Sequence, residues 1–198
     1  MTYLFFDTET TGLPDFRMPP EWEGQPRICQ IGAILTDRDG FVKSELNLII
    51  RPAGWTIPSA ASDIHGITQE AAEKYGVSMR AVLSLFNRLC TKAELVVAHN
   101  IKFDQMMIER EASAAEFPIG DFRFEGFCTM EAARNVVQCP PTEKMLAKGM
   151  TGFKSPSLTE AYRHFFGSDF EGAHDAMADV RACKDVFFKL REKLAEAA

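Results

Sequence analysis

Apolar residues along this chain fall in short runs that stop at acids or turns. "TYLFF" at 2–6 reads as a buried strand, and "RICQIGAIL" (27–35) and "VKSELNLIIRP" (42–52) read as two more. The last two join through "DRDG", whose Asp39-Gly40 is a hairpin signal. "DRDG" also has the look of a calcium-loop start, but the twelfth position holds Leu48 where a bidentate Glu belongs. Further on, "SMRAVLSLFNRLC" (78–90) is helical, and "AELVVAHN" (93–100) is a short buried strand running straight into the helical "IKFDQMMIEREA" (101–112). "FCTMEAARNVV" (127–137) gives a strand end and a helix. "SLTE" at 157–160 fits a capping box, so "LTEAYRHFF" is helical, and a last helix runs from about Asp175 to near the C-terminus. Strand, turn and helix in this order predict an α/β domain. Residues 14–26 and 139–154 are irregular excursions, each either a solvated loop or a surface that steers a strand or docks a partner. The second carries Lys144, Lys148 and Lys154 against one acid, Glu143.

The same periodicities place four acids in odd company. In a strand, residues two apart share a face, so Asp7 and Glu9 lie side by side where the first strand ends. On the last helix, at about 100° per residue, Asp179 falls with Cys183, Val186 and Leu190, beside the stripe Val180, Phe187 and Leu194. Arg181, Lys184, Asp185 and Glu192 fall elsewhere. Asp104 shares a face with Met107, Ile108 and Ala115. A first-turn acid complements the helix dipole without needing to face inward, and a strand-end pair can also fray into solvent. Neighbouring buried carboxylates repel, and burying each unpaired costs several kcal/mol. Four of them together call for a shared counter-charge, and oxygen-only ligands suit Mg²⁺ or Mn²⁺ rather than zinc.

Composition changes this picture in two ways. A net charge of −6 argues against a broad basic face for coating long nucleic acid. It is compatible with gripping a strand end through carboxylate-held cations, which reverse the local field. With 198 residues, one domain over 1–198 is expected. The five cysteines form no CxxC pair, no apolar run approaches the ~20 residues of a membrane span, and the N-terminus lacks signal-peptide features, so a cytoplasmic protein is expected.

"FDTETTG" (6–12), "HNIKFD" (99–104) and "HDAMAD" (174–179) resemble, in order, the three motifs of the DEDD exonucleases, in the histidine-bearing DEDDh subgroup that includes the epsilon proofreading subunit of DNA polymerase III. "IHGIT" (64–68), "CTM" (128–130) and "SPSLTEAY" (155–162) are similar to family segments between them, so the resemblance covers nearly the whole chain. It implies an RNase H-like fold, a mixed central sheet flanked by helices. It also implies a 3′→5′ exonuclease that releases nucleoside 5′-monophosphates from single-stranded DNA ends. Asp7, Glu9, Asp104 and Asp179 would hold two Mg²⁺ or Mn²⁺ ions. By analogy Asp7 bridges both, Glu9 and Asp179 complete one site, and Asp104 helps hold the other through water.

His174 would be the general base, with small neighbours Gly172 and Ala173 leaving it room, and His99 the next candidate. Histidine's ordinary pKa, about 6.5, suits proton removal near neutrality. The family pattern further implies substrate contacts from Thr10, Thr11, Gly12, Leu13, His65, His99, Asn100 and Phe103, with Leu13 and Phe103 as apolar wedges against the terminal base. Asn100, between strand and helix, is equally suited to turn formation. Two alternatives stand beside this reading: an RNA-trimming exoribonuclease of the same family, and a catalytically inactive end-binding module. Partners would be DNA or RNA 3′ ends and a separate polymerase or other nucleic-acid enzyme, with no membrane.

Overall fold

In the computed structural model, residues 1–118 and 126–196 are described. Strands β1 (Thr2–Thr10), β2 (Ile28–Asp37) and β3 (Val42–Ile49) open the chain, followed by helices α1 (Ser59–His65), α2 (Gln69–Tyr75) and α3 (Met79–Cys90). Strand β4 (Leu95–Ala98) leads into α4 (Ile101–Ala114), and β5 (Gly126–Cys128) into α5 (Thr129–Val137). Helices α6 (Glu143–Ala147), α7 (Leu158–Phe166) and α8 (Ala176–Glu196) follow. The sheet runs β3-β2-β1-β4-β5. Its first three strands pair antiparallel and β1, β4 and β5 pair parallel, so the sheet is mixed. This is the expected RNase H-like arrangement of a mixed sheet flanked by helices. Among the described residues no helix is long and apolar enough to cross a membrane.

Alternation along β1 decides the layers. Leu4 and Phe6 pack with Val82, Leu83 and Phe86 of α3 and Met107 and Ile108 of α4. Tyr3 and Phe5 pack with Ile34, Val97 and the α8 residues Met177, Val180, Cys183 and Phe187. Each fully buried aromatic contributes roughly 1.5–3 kcal/mol relative to exposure, so β1 is held firmly from both sides. Asp7 and Glu9 continue the face that Tyr3 and Phe5 present to α8, which brings them to Asp179.

The hairpin turns where expected, with Gly40 at φ 89°, and the capping box of Ser157 and Glu160 starts α7. Three expectations are corrected. The strand expected over 2–6 extends through Thr10, pairing with β2 as far as Thr10↔Ile28 across a register shift after Glu9, so Asp7 and Glu9 lie within the strand, at its end. The 139–154 excursion holds a short helix, α6, started by Thr142, whose side chain accepts from the Met145 N–H. Leu194 is 49% exposed, since α8 outlasts its core: Leu190, one turn earlier, is fully buried. Helices α1 and α2 have seven residues each, too few for the apolar pattern to announce them.

Candidate active site

The site is built where β1 ends. Asp7 and Glu9 come from β1, Asp104 from the first turn of α4 and Asp179 from the first turn of α8. Asp104 is 2% exposed, and its Oδ1 accepts hydrogen bonds from the Thr8 backbone N–H (3.0 Å) and the Thr8 hydroxyl (2.8 Å). Thr8 points opposite to Asp7 and Glu9, so a single strand carries two of the acids on one side and anchors a third on the other. Asp179 Oδ2 accepts from the His174 backbone N–H at 3.2 Å. His174 has φ 71°, a left-handed backbone uncommon outside glycine, and strain of this kind gathers at functional sites. Ligand-capable atoms of Glu9, His174 and Asp179 all lie within 4.8 Å of one another.

Electrostatics set this cluster apart from an ordinary core. Burial, then the carboxylates of Asp104, Asp179, Glu9 and Asp175, hold Asp7 well above the usual carboxylate range. Burial, then Asp179, Asp104 and Asp175, push Glu9 up to about 8. Burial takes Asp104 to about 7 against the two Thr8 hydrogen bonds, and Asp179 to about 6 against its bond from His174. Among the described residues no Lys or Arg makes an ion pair with any of the four. An oxygen-only donor set with unbalanced negative charge is what a hard divalent cation requires, so the residues present fit one.

A cleft of about 440 Å³ opens over Asp7, Glu9 and Asp179, while Asp104 lies buried beside them and does not line it. Asp7, Thr8, Glu9, His174 and Asp179 floor one side, and of the expected contacts Thr10, Thr11, Gly12, Leu13, His65 and Phe103 line it. The opposite wall is α1, through Ala60, Ala61 and Ile64. His65 is buried, its Nδ1 accepting from the Ile67 N–H (3.1 Å), while Nε2 has no hydrogen-bond partner among the described residues. His99 and Asn100 do not line the cleft. The His99 ring turns inward, Nδ1 sharing a hydrogen bond with the Thr129 hydroxyl (3.0 Å) and Nε2 with the Pro156 carbonyl (3.1 Å). Burial lowers its pKa to about 4, so it is a neutral strut and no longer the next candidate for the base. Asn100 takes the left-handed turn at the start of α4, φ 75°, making no side-chain cap bond.

The family model for RNase_T, described as exonuclease, matches residues 4–187. The chain belongs to this exonuclease family. A DNA polymerase III subunit epsilon-like protein of Rhodobacter capsulatus is 35% identical to it over 96% of this chain and 24% of the relative. The DNA polymerase III subunit epsilon of Treponema pallidum is 26% identical over 94% of this chain and 75% of the relative. A crystal structure of E. coli exonuclease I in complex with a dA16 oligonucleotide matches with a TM-score of 0.75 at 23% identity, over 97% of this chain and 41% of that one. The chain thus spans about a quarter of the Rhodobacter relative and under half of exonuclease I. In this chain Asp7 and Glu9 sit at the end of the central strand of a mixed sheet.

Sequence reasoning missed what aims the last helix. Asp175 Oδ1 accepts from the N–H groups of Met177 (3.1 Å) and Ala178 (3.0 Å), closing the start of α8. Its Oδ2 accepts from Gln30 Nε2 (3.0 Å), and Gln30 Oε1 accepts from the Ala176 N–H (3.2 Å). Gly32 lets the two elements meet, because a Cβ there would sit 2.7 Å from the Ala176 carbonyl. The signals were a Gln and a Gly inside an otherwise apolar strand, the latter a mark of close backbone approach. Across the sheet, the fully buried Glu111 accepts from Arg27 twice (both 2.8 Å) and from the Ile28 N–H (3.0 Å), tying α4 to the start of β2.

The raised carboxylates carry a pH prediction for the metal-free protein. Glu9 binds its proton more tightly folded than unfolded, so its contribution is fully present below about pH 4.5 and is lost as pH rises through about 8. Relative to Glu9→Gln, which cannot ionise, the wild-type melting temperature in EDTA should fall by several degrees between these limits. Parallel melting curves for the two proteins across this range would exclude a buried, repelled Glu9.

Proposed function

We propose that this chain is a two-metal-ion 3′→5′ exonuclease that removes nucleoside 5′-monophosphates from single-stranded DNA ends. The observation that carries the reading is the convergence of four carboxylates with no Lys or Arg ion-paired to them among the described residues: Asp7, Glu9 and Asp179 line a cleft that also holds His174, and Asp104 lies buried beside them, close enough to Asp7 and Glu9 to raise their pKa values. These four carboxylates would hold two Mg²⁺ or Mn²⁺ ions. When bound, such a pair polarises the scissile phosphate and steadies the attacking and leaving oxygens.

His174 would take the proton from the attacking water, placed for this by a strained turn at the cleft's edge. Backbone groups of Thr10, Thr11 and Gly12 would meet the terminal nucleotide, with Leu13 and Phe103 against its base. The apolar wall of Ala60, Ala61 and Ile64 excludes water from one side, which strengthens every charge interaction inside. The complex of exonuclease I with a dA16 oligonucleotide supports a single strand as substrate, and the likeness to DNA polymerase III epsilon subunits supports a separate polymerase as partner.

The test is a 5′-labelled single-stranded oligonucleotide. It should shorten one nucleotide at a time with Mg²⁺ or Mn²⁺ and stay intact in EDTA. Internal fragments appearing before a ladder would overturn exonucleolytic action, and the same ladder on RNA of matched sequence decides between deoxyribose and ribose.

A further inference from the structure

The cleft has a neighbour that the reaction at the strand end does not use. Between β1 and β2, residues 14–26 form no regular element, yet the loop is not loosely held. Gln25, 4% exposed, accepts from the Asp15 N–H (3.0 Å) and donates from Nε2 toward the carbonyls of Asp15 (2.9 Å), Met18 (3.2 Å) and Pro19 (3.3 Å). The Asp15 carboxylate in turn binds the Arg17 guanidinium through two bonds, of 2.8 and 2.6 Å. A buried side chain spent on fixing a surface loop would ordinarily hide that loop's apolar residues. Here it displays them: Phe16 is 60% and Trp22 41% exposed.

Phe16 and Met18 border a groove of about 330 Å³ whose other bank is the outer face of α4, at Lys102 and Met106, with Glu109 at its far end. The groove lies next to the active-site cleft along the chain on both banks: Lys102 directly precedes Phe103, and Phe16 follows Leu13 by three residues, with Leu13 and Phe103 lining the cleft.

We propose that this groove is an upstream subsite, in which Phe16 and Met18 form a stacking platform for the nucleotides that precede the 3′-terminal one, with Arg17 and Lys102 facing their phosphates. The occupant is the substrate's own single strand. Both cations are exposed but ion-paired, Arg17 beside the groove to Asp15 and Lys102 to Glu131 at 3.3 Å, so a phosphate would take them over from those carboxylates. An aromatic ring beside such cations, next to a cleft for a strand end, matches the stacking-plus-charge chemistry of sequence-indifferent single-strand binding. Gln25 is a positioning residue that holds the platform in place before the strand arrives. Only a strand with several unpaired nucleotides reaches the groove, so it favours longer single-stranded tails over short products.

This inference rests on the exonuclease reading, and the test separates the two. The substrates are an oligothymidylate of about eight nucleotides, which covers the groove, and the nitrophenyl ester of thymidine 5′-monophosphate, which has no upstream nucleotide. Phe16→Ala, together with Met18→Ala, should raise KM for the oligonucleotide by about 5- to 10-fold while kcat and ester hydrolysis hold. Gln25→Ala should raise the same KM through loop disorder, again with ester hydrolysis unmoved. An unchanged oligonucleotide KM, or equal losses on both substrates, would overturn the platform while leaving the exonuclease reading intact. A wild-type protein inert toward both would overturn the exonuclease reading, and the platform with it.

Discussion

Replacing Asp7 or Asp179 by Ala should cut strand cleavage by about 10³-fold or more, because each would remove a carboxylate that holds catalytic metal, a contribution of several kcal/mol to the transition state. The same substitutions should raise the melting temperature of the metal-free protein. Both carboxylates are pushed up by burial and by neighbouring acids, Asp179 only partly relieved by His174, so deleting either one removes a buried, repelled acid. Loss of function with gain of apo stability is the signature of a metal-ligand cluster, and it is opposite to what a structural acid would show. Asp185 is the control: it lies on the outer side of α8, 41% exposed and 3.3 Å from Lys184, and Asp185→Ala should do neither. Equal losses at Asp185 and Asp179 would mean that the acids act through helix stability alone.

For His174→Ala, binding and chemistry should come apart. The four carboxylates stay in place, so strand affinity in the presence of metal should persist while single-turnover cleavage slows by roughly 10²- to 10⁴-fold. Free imidazole should restore part of the rate. The close grouping of His174 with Glu9 and Asp179 makes the alternative concrete: an imidazole within 4.8 Å of two carboxylates has ligand geometry as well. Weakened metal or strand binding in proportion to the lost rate would make His174 a ligand or strut. The base would then be sought at His65, buried in the cleft wall with an Nε2 that has no hydrogen-bond partner among the described residues, since both His99 ring nitrogens are already engaged.

Local periodicity made much of this molecule legible. A period of two put Asp7 and Glu9 on one face, and a period of 3.6 put Asp179 and Asp104 on inward ones, because these repeats follow from the geometry of a single strand or helix. The hairpin at Gly40 and the capping box at Ser157 were equally local, each set by a few consecutive residues. The three motifs then implied, by resemblance, that the acids meet, and the mixed sheet brings them together.

What only the tertiary structure decided are the contacts that join distant segments. His99, beside Asn100 in a motif segment, turns away from the cleft because Thr129 and Pro156, 30 and 57 residues on, occupy both its ring nitrogens. The cleft's far wall is a seven-residue helix, and its last helix is aimed by Gln30 and Gly32 from a strand some 145 residues upstream. The buried Glu111 matters through Arg27, 84 residues away. Gln25 shows the same limit at shorter range: in the sequence it is one polar residue in a proline-rich loop, and its four hydrogen bonds exist only once that loop has closed on itself. Periodicity along a chain reports which way a side chain leaves its own element; which partner it meets depends on how the elements pack.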